Sequence, residues 1–484
     1  MFWSFDAKAL AFQCKIDGKD GTWKVQFPDP KKPIFMTATK GFHARWLEKD
    51  SKILWLSDGV PAAYTQKYPF KLYTEVDLPA YRRLGFRIMW REFKDRFYDP
   101  ALNNRDWEAI RLKYEDQAAA SDWDAFERIA EMLMGELNAS HLGFQKTSTS
   151  KKEWTPEYQS RQGWKQRTAA LGLTFDATYE GEGLKVSHVV RNSAADRHEK
   201  PVRVGEILLE IDGAKVETGM ALSPLLNGYY PRDIKLLIAA TNETRRTLSI
   251  EEEAFEELRK RVREEWMEYN RRMVENQSEG RCGYLNIERM NYASLRQFEK
   301  EIYASGFGKD GLVIDVRNNP GGFISEHLIS ILCHPQHAVT VPRNGNASYQ
   351  QGYLPSAAWF KPIVVLCNEY SSSNSEIFCH AIQTLKRGTI VGVPTQQAVI
   401  STSDQKILDI GQIRMPHRGW FRLEDGSDME MQPCVPDVLI ATDPEDVPAG
   451  RDPQLERAVE ELLKDIKTGA SQAAAKPIYS SERQ

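Results

Sequence analysis

The feature that most constrains this chain is an apolar run, Ile363-Val364-Val365-Leu366-Cys367, that leads straight into NEYSSSNSEIF at residues 368 to 378. A short buried strand that ends in a serine cluster and passes into a helical pattern (Glu376, Ile377, Phe378, then Ala381 and Ile382) sets a hydroxyl at a helix N-terminus. Unpaired N–H groups and the positive end of the helix dipole would stabilise an oxyanion formed beside that hydroxyl. The plainer reading is that Ser372 or Ser373 is only an N-cap.

Two other stretches favour the chemical reading. Asp315 to Gly322, DVRNNPGG, follows the strand-like Gly311-Leu312-Val313-Ile314 and demands an abrupt turn with bare backbone. Such a turn lets N–H groups approach a ligand, although Pro-Gly alone also explains it. Asn138-Ala139-Ser140-His141-Leu142-Gly143 follows a well-marked helix, and histidine is a side chain whose ordinary pKa suits general-base work near neutral pH.

SHLG, DVRNNPGG and NEYSSSNSEIF, in that order and with a glycine-rich domain between the first two, resemble the tricorn-type serine peptidases, relatives of the C-terminal processing proteases. The resemblance extends over roughly residues 80 to 465. It implies Ser373 as nucleophile, His141 as base, Ser140 beside it and Glu430 as supporting carboxylate, with Glu424 and Asp428 as alternatives. It also implies oxyanion donors from Asn374 and the Gly321-Gly322 pair. The processing proteases use a lysine base, whose register falls here on Ala398; Lys386 and Lys406 do not match that position. Ser371, Ser372 and Ser375 compete with Ser373, and family register alone separates them. His327 is the rival to His141, whereas His380 would sit two turns into the helix. The archaeal tricorn enzyme has an aspartate beside its nucleophile that favours basic residues. Asn374 replaces it here, which predicts substrate binding with little preference for Lys or Arg.

At 484 residues, with 41% hydrophobic and 27% charged residues, the chain is expected to be an ordinary multidomain α/β protein. A net charge of −4 argues against nucleic-acid binding, and no apolar run approaches a membrane span. Six scattered cysteines without a CxxC pair indicate a reducing compartment, and the N-terminus lacks the basic region of a signal peptide, so a cytoplasmic location is expected. Cys333-His334-Pro335-Gln336-His337 lacks a second ligand cluster, so no metal and no cofactor are expected.

Residues 1–65 read as four short strands, one blade-sized sheet that the resemblance relates to a β-propeller remnant. A single blade has open edges, so the chain is read as a fragment, or the blade packs on the catalytic core or a second subunit. Residues 79–145 read as three helices that deliver Ser140-His141, and 146–163 as a linker. Residues 165–252 resemble a PDZ domain, in which Gly172 and Leu173 would line a carboxylate-binding loop. An amphipathic helix over 253–279 leads to a domain at 280–450, where strands and helices alternate as in a layered α/β fold. By resemblance that fold is crotonase/ClpP-like. A C-terminal helix and a disordered tail from Lys467 complete 451–484. The partners that the resemblance implies are peptide substrates and further copies of the chain in a ring, such as a hexamer. The alternative reading is a PDZ/crotonase-like binding protein without catalysis.

Overall fold

The structure, a computed structural model, describes residues 1–30, 32–47, 53–70, 75–147, 167–228, 232–241, 244–334, 338, 340–341, 343, 357–446, 450–470 and 478–482. The linker expected at 146–163 lies almost wholly outside these, as do residues 335–337 of the Cys-His-Pro-Gln-His stretch. The chain divides into two units, Met1–Leu78 and Pro79–Gln484.

Among the described residues the first unit holds two four-stranded antiparallel sheets, where one blade was expected. Asp17-Gly18 and Asp58-Gly59 both sit at positive φ. Each therefore closes a two-residue hairpin, pairing Ile16 with Lys19 and Ser57 with Val60. Ala11, Ile53, Trp55 and Ala62 form the small core that the two sheets share.

The second unit begins one residue into the helix Leu78–Arg96, which helices Trp107–Ala120 and Trp123–Gly135 follow. Asp106 and Asp122 cap the last two, accepting from Ala109 N at 2.9 Å and Ala125 N at 2.7 Å. Their apolar faces do not close a core by themselves. Ile407, Ile410, Ile413 and Met415 complete it, from a hairpin of strands Ile400–Ile407 and Gly411–Gly419. The strand Gly143–Lys146, directly after His141, pairs with that hairpin, Phe144 opposite Ile413. The expected boundaries 79–145 and 280–450 are thereby corrected: the hairpin interrupts the α/β segment and belongs with the helices.

Leu173–Phe175, Leu184–Val189, Ile207–Ile211, Asp233–Ala239 and Arg245–Glu251 pair in that order, with Ala214–Lys215 added on Ile207–Ile211. They enclose their own core around Leu208, Leu236 and Ile238. The helix Phe255–Gln277 then leads to Cys282–Asn286, the first strand of a five-stranded parallel sheet. Gly311–Asp315, Ile363–Cys367, Thr389–Gly392 and Val438–Leu439 follow in sequence order. The central strands Gly311–Asp315 and Ile363–Cys367 are buried on both faces, as parallel strands require, whereas the edge strand Val438–Leu439 is partly exposed. Leu312, Ile314, Ile363 and Val365 face helices Tyr292–Ala304, Ser325–Leu332 and Asn374–Thr384. Val313, Val364 and Leu366 face the helix Pro453–Ala470 and the end of Phe255–Gln277. The last helix runs to Ala470, so the tail expected from Lys467 begins as helix. Among the described residues, no helix is long and apolar enough to cross a membrane.

Candidate active site

Both glycine-rich and serine-rich turns leave the C-terminal ends of neighbouring strands, Gly311–Asp315 and Ile363–Cys367. Parallel sheets gather ligands at that edge. Ser373, at the mouth of the helix Asn374–Thr384, has φ 54° and ψ −118°. An L-residue holds such a conformation only when its surroundings impose it. Here Glu376 Oε1 accepts the Ser373 N–H at 2.9 Å.

Across from it, His141 Nε2 stands 3.0 Å from Ser373 Oγ. His141 Nδ1 is 2.7 Å from Ser140 Oγ, and that hydroxyl donates to Glu430 Oε2 at 3.0 Å. The single hydroxyl proton of Ser140 is therefore committed to the carboxylate, and its oxygen accepts from the imidazole. Nδ1 must then carry the ring proton, which leaves Nε2 bare to receive the proton of Ser373. Glu430 Oε1 also accepts the Ser140 N–H at 2.6 Å, and Oε2 accepts from Val399 N at 2.8 Å. Asp428 does not touch the histidine; it accepts from Glu430 N at 2.9 Å and from the Tyr98 hydroxyl at 2.8 Å. Glu424 lines a separate hollow with His380, and His327 is exposed, its ring 6.0 Å from that of Tyr292.

His141 is pushed down to about 4, first by burial and then by the nearby cation of Arg414. Both effects disfavour the imidazolium, so the ring is neutral at neutral pH, with Nε2 free to accept a proton.

Gly321 and Gly322 are adjacent but differ in role. The Gly321 N–H donates to Asn319 Oδ1 at 2.9 Å, which corrects its expected use as an oxyanion donor. Its contribution is the missing side chain: a Cβ would lie 2.7 Å from Ser373 Cβ and 2.9 Å from Asn374 N. The N–H groups of Gly322 and Asn374 have no acceptor among the described residues. The Asn374 N–H is also the first orphan donor of its helix.

The Asn374 side chain departs from the expected substrate contact. It is buried, accepts from Ser325 N at 2.9 Å and donates to Ser325 Oγ at 2.8 Å. A short amide reaching a neighbouring helix start satisfies both its ends there, and it ties the glycine turn to the serine helix. Gly172 and Leu173 lie elsewhere, at the edge strand of the antiparallel sheet, where Gly172 adopts φ +72° against Ser193. Ala398, in the lysine register, is buried and gives its N–H to Glu376 Oε1 at 2.8 Å.

Sequence reasoning missed Glu376 and the hairpin. The alternation on either side of Asp409-Ile410-Gly411 was the available signal for the hairpin. Among the described residues, no group of three or more His, Cys, Asp or Glu is arranged to hold a metal ion.

Residues 281–440 match the model of peptidase family S41, and residues 66–133 that of the tricorn protease C1 domain. Over 396 residues the chain is 26% identical to a protein of Sulfurisphaera tokodaii named as a tricorn-like protease C-terminal subunit, covering 79% of this chain and 43% of that one. It is 25% identical to the tricorn protease of Thermoplasma volcanium, covering 78% and 36%. The crystal structure of the tricorn protease superposes with a TM-score of 0.66 at 21% identity, covering 92% of this chain and 43% of that one, a likeness of fold. The chain thus spans less than half the length of these relatives.

Proposed function

For a chain whose core and C-terminal part are of the tricorn type within peptidase family S41, we propose the activity of a serine peptidase acting on peptides or unfolded polypeptide. The observation that carries this reading is the contact of 3.0 Å between Ser373 Oγ and a histidine whose other nitrogen is held by Ser140 and Glu430. His141 Nε2 takes the Ser373 proton as Oγ attacks the scissile carbonyl, and the oxyanion rests on the N–H groups of Gly322 and Asn374. The imidazolium returns its proton to the leaving amine. Water, deprotonated by the same nitrogen, then hydrolyses the acyl-enzyme. Ser140 and Glu430 fix the tautomer and stabilise the imidazolium through one intervening hydroxyl.

The finer architecture belongs to the same proposal. We read the two sheets of the first unit as propeller-like, the sheet around Leu208 as PDZ-like and the parallel sheet as crotonase/ClpP-like. Among the described residues Leu173–Phe175 pairs on one side only, and a peptide strand would add on the other. A ring of subunits and a cytoplasmic location fit this reading. The inactive binding module is not favoured, because nucleophile, base and carboxylate stand in one connected chain of hydrogen bonds.

The test is incubation with a mixture of unfolded peptides and mass mapping of the cut sites. Cleavage is expected without a preference for Lys or Arg, because the Asn374 amide is neutral and faces Ser325. Beside Gly322, the exposed rings of Phe323 and Tyr292 lie 5.1 Å apart and offer an apolar ledge, so large apolar side chains should be enriched near the cut. No cleavage would defeat the activity; cleavage dominated by basic residues would defeat the specificity.

The pH dependence follows from His141. Its neutral form is the active one, so kcat/KM should hold on the acid side down to a midpoint near 4. Arg414→Gln removes a cation that opposes protonation, so this midpoint should rise. An acid limb at the ordinary histidine value of 6.5 in the parent enzyme would contradict the burial of the base.

A further inference from the structure

Glu376 is one turn into the serine helix, buried, and used by no step above. Four donors converge on its carboxylate. Oε1 accepts from Ser373 N at 2.9 Å and Ala398 N at 2.8 Å; Oε2 accepts from Thr395 Oγ1 at 2.5 Å and Gln397 N at 2.7 Å. The next N–H of the same loop, Val399, goes to Glu430 Oε2 at 2.8 Å. Gln396 N donates to Ser371 O at 3.0 Å, and Met431 N to Gln397 O at 3.1 Å. The segment Thr395–Val399 is therefore laced to the nucleophile's turn on one side and to the base's carboxylate on the other.

We propose that Glu376 is a positioning residue that, through the loop Thr395–Val399, sets the nucleophile and the histidine arm as one unit. This rests on the serine-peptidase reading. The chemistry specifies an acceptor with two oxygens, since each receives two donors. A glutamine would present an NH₂ to two of them. At the Oε1 position that NH₂ meets Ser373 N and Ala398 N, and at the Oε2 position Thr395 Oγ1 and Gln397 N; either way the turn of Ser373 and the loop that also carries Val399 to Glu430 are no longer held by one group.

The experiment measures kcat, KM, melting temperature and the rate of fluorophosphonate labelling at Ser373, in the parent and in Glu376→Gln, Thr395→Val, Glu430→Gln and the double variant Glu376→Gln/Glu430→Gln. Labelling of parent Ser373 tests the underlying reading independently. Glu376→Gln is expected to lower kcat and labelling together by about 100-fold with KM within about twofold, the pattern of an interaction that acts on the reacting atoms. Thr395→Val removes one of the four hydrogen bonds to Glu376, together with the acceptor of the Cys434 N–H at 2.9 Å, and should cost about fivefold in kcat, with the melting temperature reporting the second loss. The double variant should lose less than the product of the single losses, as coupled sites do. Losses that multiply independently, or a Glu376→Gln enzyme with parental kcat and labelling, would overturn the proposal. So would a Thr395→Val enzyme whose decline lies in KM alone.

Discussion

Ser373→Ala and His141→Ala are each expected to lower peptide turnover by roughly 10⁴- to 10⁶-fold, with the double variant falling no further than the worse single one. That is the result expected when two side chains perform one step: without the hydroxyl there is nothing to acylate, and without the imidazole nothing takes its proton. A fluorophosphonate probe should mark Ser373 in the parent, leave Ser373→Ala unmarked and react far more slowly with His141→Ala. Retained hydrolysis in either variant would remove the assignment. The backbone adds a second readout. Because Ser373 holds φ 54°, Ser373→Gly should melt above Ser373→Ala by about 1 kcal/mol of stability, glycine being at ease where an L-residue is strained. Equal stability of the two would mean that the helix mouth relaxes once the hydroxyl is gone.

The second large effect belongs to Gly321→Ala. The new methyl would stand 2.6 Å from Ser372 O, 2.7 Å from Ser373 Cβ and 2.9 Å from Asn374 N, against a backbone already at φ +88°. Those neighbours are main chain and the root of the nucleophile, so they cannot rotate away. The donors for the oxyanion are forced apart, and kcat should fall by about 10²- to 10³-fold with a small change in KM. The companion is Gly308→Ala, at φ +72° with nothing within 4 Å of its added Cβ. It carries the conformational cost of about 1 kcal/mol without the collision, and its kcat should match the parent. If the two variants lose activity alike, the glycine turn does not shape the oxyanion site.

Much of this was legible before the fold was known. Local patterns sufficed for the strand Ile363–Cys367, the helix that follows and the helices before Ser140, because period and capping residues are written within a dozen residues. Ser140, His141, Ser373 and Glu430 came from the family resemblance, and the structure brings all four together across sequence separations of 232 and 290 residues. What local reading could not reach was anything decided by a distant partner. The Asn374 amide looks like a substrate contact until Ser325 is seen beside it. The hairpin Ile400–Gly419 belongs by position to the parallel sheet and by packing to the helices. The second sheet of the first unit rested on edge strands too short to carry a period.

That hairpin has a consequence for how the protein comes into being. Chains fold as they leave the ribosome, N-terminal parts first. The helices that carry the histidine emerge early, but Ile407, Ile410, Ile413 and Met415 of their core are made more than two hundred residues later, after the nucleophile. Until then the histidine has neither its flanking strand fixed nor its carboxylate in reach. A nascent or truncated chain that ends before this hairpin therefore has the histidine but not the completed core that holds it.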